Sequence, residues 1–328
     1  MTATVTGRRH TDPRPERGSD PRSAYRGAVA WLRRTARRRA TPVRIPPSPR
    51  QKALSLALAM ISVMLFGQLI NVVIISQVQH ATTQARLFEE FRTSLAEGSA
   101  PLGQTDHEGA LVSPGTPLAF LAIPALGLNE TVVEGTTSRE LMDGVGHRRD
   151  TPLPGQSGTS VLMGRAAAYG GVFGQLSRLA TGERFTVTTG LGEAEYEVTG
   201  QRRAGDPGPP LLAGYEGRLT LTTAAGHAFL PDEVLRLDAK LVSKALPKAA
   251  PVLHAASLQA SELPLGSDTS DLVGLLVCLE LLVLAALGAV WSWYRWGQRE
   301  TWLVFLPVLG VLSVLTGQQI SLLLPNLI

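Results

Sequence analysis

The chain is poor in thiols: its 328 residues contain one cysteine, Cys278. That excludes an intramolecular disulfide. With six scattered histidines, neither a C-x-x-C pair nor a Cys/His zinc spacing can be assembled, and no metal or cofactor is expected. Cys278 lies inside an apolar run, so counting alone excludes a thiol nucleophile outside a membrane. Acidic residues are scarce in residues 1–52, three against fourteen Arg and Lys, and the run RRTARRRA occupies 33–40. With little apolar periodicity, this stretch cannot bury enough surface to fold alone and reads as a disordered basic tail. A topogenic tail drawn to anionic lipid is favoured over a nucleic-acid arm, and no nucleic-acid partner is expected.

Charge is missing from 53–75 and 302–324, and between 272 and 293 it is reduced to Glu280. Each run matches the length of a bilayer span, which predicts transmembrane helices at 53–76, 271–293 and 302–324. The first follows too long a basic region, and lacks too clear a cleavage site, for a secretory signal, so a retained signal-anchor is expected. Basic residues precede the first span, and Arg295 and Arg299 lie in the short loop between the other two. The positive-inside rule then puts the N-terminus in the cytoplasm, with residues 77–270 and the C-terminus outside a plasma membrane crossed several times. The lipid bilayer is the first expected partner.

Within 77–116, Leu87, Phe88, Phe91 and Leu95 recur at helical spacing, so a juxtamembrane helix ends at Gly98 and a linker follows. From 117 to 243 the pattern changes to short alternating strands separated by Gly and Pro turns. Strands are expected at 119–123, 130–133, 160–163, 184–189, 194–199, 218–223 and 234–242, with helical turns at 138–142 and 172–179. That spacing predicts one mainly β domain, a barrel or sandwich. An Ala-, Pro- and Ser-rich linker, 244–270, leads to the second span.

Five segments of this domain share their order with a known family. LAFLAIPALGLNETVVEGT (118–136), GVGHRRDTPLPGQSGTSVLMG (144–164), the stretches 169–179 and 182–189, and LTLTT (219–223) together resemble the sortases, cell-surface cysteine transpeptidases built on a β-barrel. The spans after the barrel resemble class E-like actinobacterial members. The resemblance implies an extracytoplasmic sortase-like β-barrel and a sorting-signal-like peptide, or another membrane or cell-surface protein, as partner.

It also implies three reactive positions. The family's cysteine falls at Ala224 and its histidine at Arg165; its arginine belongs near Glu233–Val234, so Arg236 is two or three residues late. An even offset keeps a strand residue on its face and an odd one reverses it. Without a thiolate the family reaction cannot start at Ala224. Thr222, Thr223 and His227 lie beside that position, but a threonine hydroxyl without a base is a poor nucleophile and a loop histidine is ordinarily just solvated. His147, in the GVGH turn, is expected to make a structural hydrogen bond. Arg165 has the fork geometry to hold a carboxylate or a peptide carbonyl.

Within the spans, Glu280 falls about 13 Å deep at 1.5 Å per residue, where an ionised carboxylate costs about 3 kcal/mol or more. Gln68, Gln318 and Gln319 fall at comparable depth and are expected to face Glu280 as interhelical polar contacts. Three functions follow: a catalytically inactive binding or scaffolding homologue, a hydrolase or transpeptidase with relocated catalytic residues, and a structural subunit of a membrane complex. An open groove beside Ala224 and Arg165 favours peptide binding, and a filled one favours the structural role.

Overall fold

The computed structural model describes residues 48–227 and 230–328, so most of the basic tail, and Ala228 and Phe229, lie outside the described residues. Helix α1, Pro49–Ile70, runs through one π turn, Asn71–Ile75, directly into α2, Ser76–Glu97. Gly98 stops α2 in the left-handed conformation at φ 69°, where a residue without Cβ is unstrained.

The apolar spacing of α2 faces the domain that follows. Leu87 and Phe91 are buried, and Phe88 packs against Phe120 at a tilt, ring centroids 5.1 Å apart. Gln84 substitutes for a backbone unit: its Oε1 accepts from Thr131 N at 2.7 Å and its Nε2 donates to the Asp143 carbonyl at 2.8 Å. These contacts fix the helix to the domain it precedes.

That domain is a closed eight-stranded barrel: β1 Pro117–Ile123, β2 Leu128–Glu134, β3 Val145–His147, β4 Gly158–Met163, β5 Arg184–Thr189, β6 Gly192–Arg202, β7 Gly217–His227 and β8 Leu230–Leu241. The order around the barrel is β1-β2-β3-β4-β7-β8-β6-β5, with β2/β3 and β4/β7 parallel and the other pairs antiparallel. Alternate residues point inward, and Leu121, Val132, Leu162, Phe185, Leu219 and Leu237 are among those filling the core. Helix α3, Ser138–Asp143, starts on a capping box made by Thr137 and Glu140 and crosses between β2 and β3.

The expected strands all form, most of them longer than their apolar alternation. The three residues of β3 went unseen because they are too few to show a period. The description "mainly β" holds only for 117–241; across the described residues, helices contain more residues than strands.

Two helices follow, α4 Leu272–Arg295 and α5 Gln298–Leu323, and both are long and apolar enough to cross a membrane. Of the three expected spans, two are met among the described residues. Helix α1 contains the shorter apolar helix Ala57–Ile70 and continues through the π turn from Asn71. Helix α1 meets α5 through small and polar residues: Ser313 Oγ donates to the Met64 carbonyl at 2.8 Å, and Gln68 Nε2 donates to the Ser313 carbonyl at 2.7 Å. A methyl at Gly67 would lie 2.9 Å from Ser313 Oγ, so glycine there permits the close crossing.

The parallel β2/β3 pairing depends on a second glycine. A methyl at Gly146 would collide with the Gly135 carbonyl, which is backbone and cannot turn aside. Gly146→Ala is expected to cost about 3 kcal/mol, the upper end for overpacking, seen as a lower denaturation midpoint of the full chain. An unchanged midpoint would mean that β3 shifts freely.

Candidate functional site

The outer face of β4, β7 and β8 carries the site. Leu219 and Leu221 point into the core, so Thr220, Thr222 and Ala224 point out. The β7/β8 register pairs Thr220 with Asp238, Thr222 with Arg236 and Ala224 with Val234. Arg236 is two residues past Val234 and so shares the outer face of Ala224. Its neighbourhood is basic. Burial first, then Arg202, hold Arg236 below its ordinary pKa, against the opposing pull of Asp238. Arg202 is itself paired, donating to Asp238 Oδ1 at 3.0 Å, and Thr220 Oγ1 donates to the same oxygen at 2.7 Å.

Around Ala224 the floor is apolar and covered. Ala224 is buried with Leu141 of α3, Met163 at the end of β4 and Leu327, and Val161, Ala166, Val234 and Leu265 close the cluster. Leu265 comes from the linker before α4, and Leu327 from the segment after α5. The groove over β7 is therefore filled by this chain.

Arg165 lies next to that filling. Its side chain is fully buried, and among the described residues no Asp or Glu side chain pairs with it. Nη1 donates to the Ile328 main-chain oxygen at 2.7 Å, and Nη2 to the carbonyls of Ser138 at 3.0 Å and Ser321 at 3.4 Å. The guanidinium carbon sits 5.3 Å from the centre of the Tyr169 ring. Burial lowers the Arg165 pKa to about 10, with Tyr169 opposing, so the group stays charged at neutral pH. Arg165 does hold peptide carbonyls, all of them from its own chain.

The remaining sequence-named residues divide between these regions. Thr223 is buried and its hydroxyl donates to the Gly164 carbonyl at 2.9 Å. Thr222 is buried beside it, while His227 is exposed at the end of β7. Among the described residues, neither threonine has a histidine or carboxylate as hydrogen-bond partner. Gln68 contacts α5 as described. Gln318 and Gln319 line an open pocket with Arg139, Asp143 and Tyr169, at the end of α5 nearest the barrel. Glu280 is exposed on α4, and Gln319 reaches the same helix at Gly274. Among the described residues, no group of three His, Cys, Asp or Glu side chains is placed to hold a metal.

Sequence reading missed Glu134 and Thr151, the partners of His147. His147 Nδ1 lies 2.8 Å from Glu134 Oε2, and Nε2 lies 3.1 Å from both Thr151 Oγ1 and the Pro152 carbonyl. The order carboxylate–imidazole–hydroxyl resembles a nucleophile relay. It is buried, however, and the Thr151 hydroxyl donates to the Arg148 carbonyl while accepting from Val161 N, so no lone pair faces an open site. The pairing of Glu134 with His147 in the β2/β3 register is what brings them together.

The comparisons with known proteins agree with this barrel. The family model for the sortase domain matches residues 121–226, about a third of the chain. Sortase D of Bacillus subtilis (strain 168) is 33% identical over 79 residues, which span 24% of this chain and 38% of that relative. Among solved structures, a Clostridium perfringens sortase D5 transpeptidase is 20% identical over 49% of this chain and 99% of its own, TM-score 0.40. A C. perfringens sortase C with the C-terminal cell wall sorting motif is 18% identical over 49% and 89%, TM-score 0.38. Sortase E from Streptomyces avermitilis is 29% identical over 46% and 100%, TM-score 0.36. The chain thus contains a sortase-like eight-stranded barrel.

The His147 pair makes stability depend on pH. Burial pushes the imidazole pKa down, but the charge and hydrogen bond of Glu134, aided by the Pro152 carbonyl and Asp150, outweigh it and leave the folded value raised. That stabilisation is complete below the unfolded value of about 6.5 and is lost as pH rises through the folded value. Melting of the full chain from pH 6 to pH 9 is expected to fall more steeply for the natural chain than for His147→Gln. Parallel slopes would remove the pair as a source of stability.

Proposed function

We propose that the chain is a membrane-anchored sortase-like protein that has lost peptide transfer and uses its barrel as a scaffolding module. The observation that carries this reading is the closed apolar floor at Ala224. The position that the resemblance gives to the cysteine holds a methyl group under Leu141, Met163 and Leu327. The position it gives to the histidine holds Arg165, turned to main-chain carbonyls. A class E-like actinobacterial origin accords with the helices that follow the barrel.

The anchoring has its own support. Helix α4 exposes Leu276, Val283, Leu284, Leu287 and Trp291, a surface suited to lipid or to neighbouring helices rather than to water. Asp271, just before α4, pairs with Arg139 of α3 at 2.8 Å, and the Leu324 carbonyl, just after α5, accepts from Ser138 Oγ at 2.7 Å. Both helices thus have their barrel-side ends on α3, as a helical hairpin that enters and returns would. With the charge-free run 53–75 as a further crossing, this suits a multi-pass arrangement with the N-terminus cytoplasmic and the barrel outside. Interhelical contact through α4 is the expected mode of partner binding.

A relocated catalytic centre has less support. The threonine hydroxyls lack a base, and His227 is solvated. The full chain in detergent micelles is expected to release or transfer no product from sorting-signal-like peptides, before or after alkylation of Cys278. Turnover that disappears in Thr223→Val or His227→Ala would overturn the reading in favour of an enzyme.

A further inference from the structure

The segment after α5, residues 324–328 (LPNLI), is bound as a peptide ligand is bound. Its main chain is held at four points: the Leu324 carbonyl by Ser138 Oγ at 2.7 Å, Asn326 N by the Gly266 carbonyl at 2.9 Å, the Leu327 carbonyl by Ala166 N at 2.9 Å, and the Ile328 oxygen by Arg165 at 2.7 Å. Pro325 has no N–H to satisfy. Leu327 fills the apolar pocket over Ala224, and Ile328 is buried beside it. Asn326 is fully buried, and its amide nitrogen reaches the carbonyls of Thr136 at 2.7 Å, Leu263 at 3.0 Å and Ser261 at 3.1 Å. Main-chain bonds, a side-chain pocket and one polar anchor are the parts of a peptide-recognition site.

The fit also has two defects. Asn326 Oδ1 and Arg165 Nε are buried without partners, and buried polar groups are ordinarily satisfied. The segment is attached directly to α5, and such a tether supplies a high effective concentration that tolerates an imperfect ligand.

Resting on the non-catalytic reading above, we propose that the groove over β7 is a peptide-binding site held closed in cis by residues 324–328. It accepts in their place a peptide of the same chemistry: an apolar residue, then Pro, Asn and two apolar residues. Asn is the specificity anchor, received by the carbonyls of Thr136, Ser261 and Leu263, and Arg165 receives the main-chain oxygen of the second apolar residue after it.

The test uses the full chain in detergent micelles and a fluorescein-labelled LPNLI peptide, read by anisotropy. The natural chain is expected to bind at least tenfold more weakly than Asn326→Ala, in which the cis ligand is loosened. A labelled LPALI peptide is expected to bind Asn326→Ala at least tenfold more weakly than LPNLI, and adding Arg165→Ala to that variant should abolish binding. Should Asn326→Ala not fold, a protease site inserted between Leu323 and Leu324 allows the folded chain to be cut afterwards. Labelled LPNLI should then exchange into the groove and be displaced by unlabelled peptide. A folded, cut chain that takes up no peptide, or binding indifferent to the Asn, overturns the proposal. Mass spectrometry of the recovered peptide separates the two readings: intact bound peptide supports both, and a cleaved or transferred one overturns the non-catalytic reading alone.

Discussion

A guanidinium with no access to water has to find acceptors in the protein, and Arg165 finds them in three elements at once. Its partners are the first turn of α3, the last turns of α5 and the end of the 324–328 segment. Desolvating a cation costs several kcal/mol, offset here by charge-assisted hydrogen bonds and by the face of Tyr169. Tyr169 is itself held at φ 49°, an uncommon conformation for a residue with a side chain that the surrounding packing must maintain. Removing any one of these carbonyls would leave the charge less satisfied, so the loop after β4, α3 and α5 are fixed together.

That constraint explains the character of the floor. With Arg165 turned toward α5 and Arg236 one step along the face opposite Thr222, the space at Ala224 is filled by Leu141, Leu265 and Leu327. A thiol placed there would be buried among apolar side chains, a setting that raises its pKa and leaves it inert. The charged groups of the same sheet face lie further along, where Arg202 and Asp238 pair beside Arg236. Polar and apolar halves of one face are thus separated by two residues along β7, between Thr222 and Ala224.

What the residues disclosed in advance follows from the range of the interactions. Strand alternation is local, so seven of eight strands were readable, and 184–189 matches β5 in both bounds. The stop of α2 at Gly98 and the turn at 138–142 rest on capping residues close in sequence. The partners of Arg165 lie up to 163 residues away, and no local pattern records them. Arg236 is an intermediate case: its face depended on parity, and parity could be assigned only once the β7/β8 register paired it with Thr222. Glu280 went the other way because depth along a helix is legible and rotation about its axis is not. Gln68 lies on α1, Gln318 and Gln319 lie at the barrel end of α5, and Glu280 is exposed on α4.

The groove and the helices are then parts of one mechanical element. Residue 324 follows α5 without a spacer, and α5 is locked to α1 through Ser313, Gln68 and the glycine at 317, where a methyl would lie 2.6 Å from Asn71 Nδ2. A slide of α5 by a single residue moves its end by about 1.5 Å, more than a hydrogen bond of 2.7 Å to Ser138 or Arg165 can absorb. The segment therefore reaches its groove only for one setting of α5 against α1.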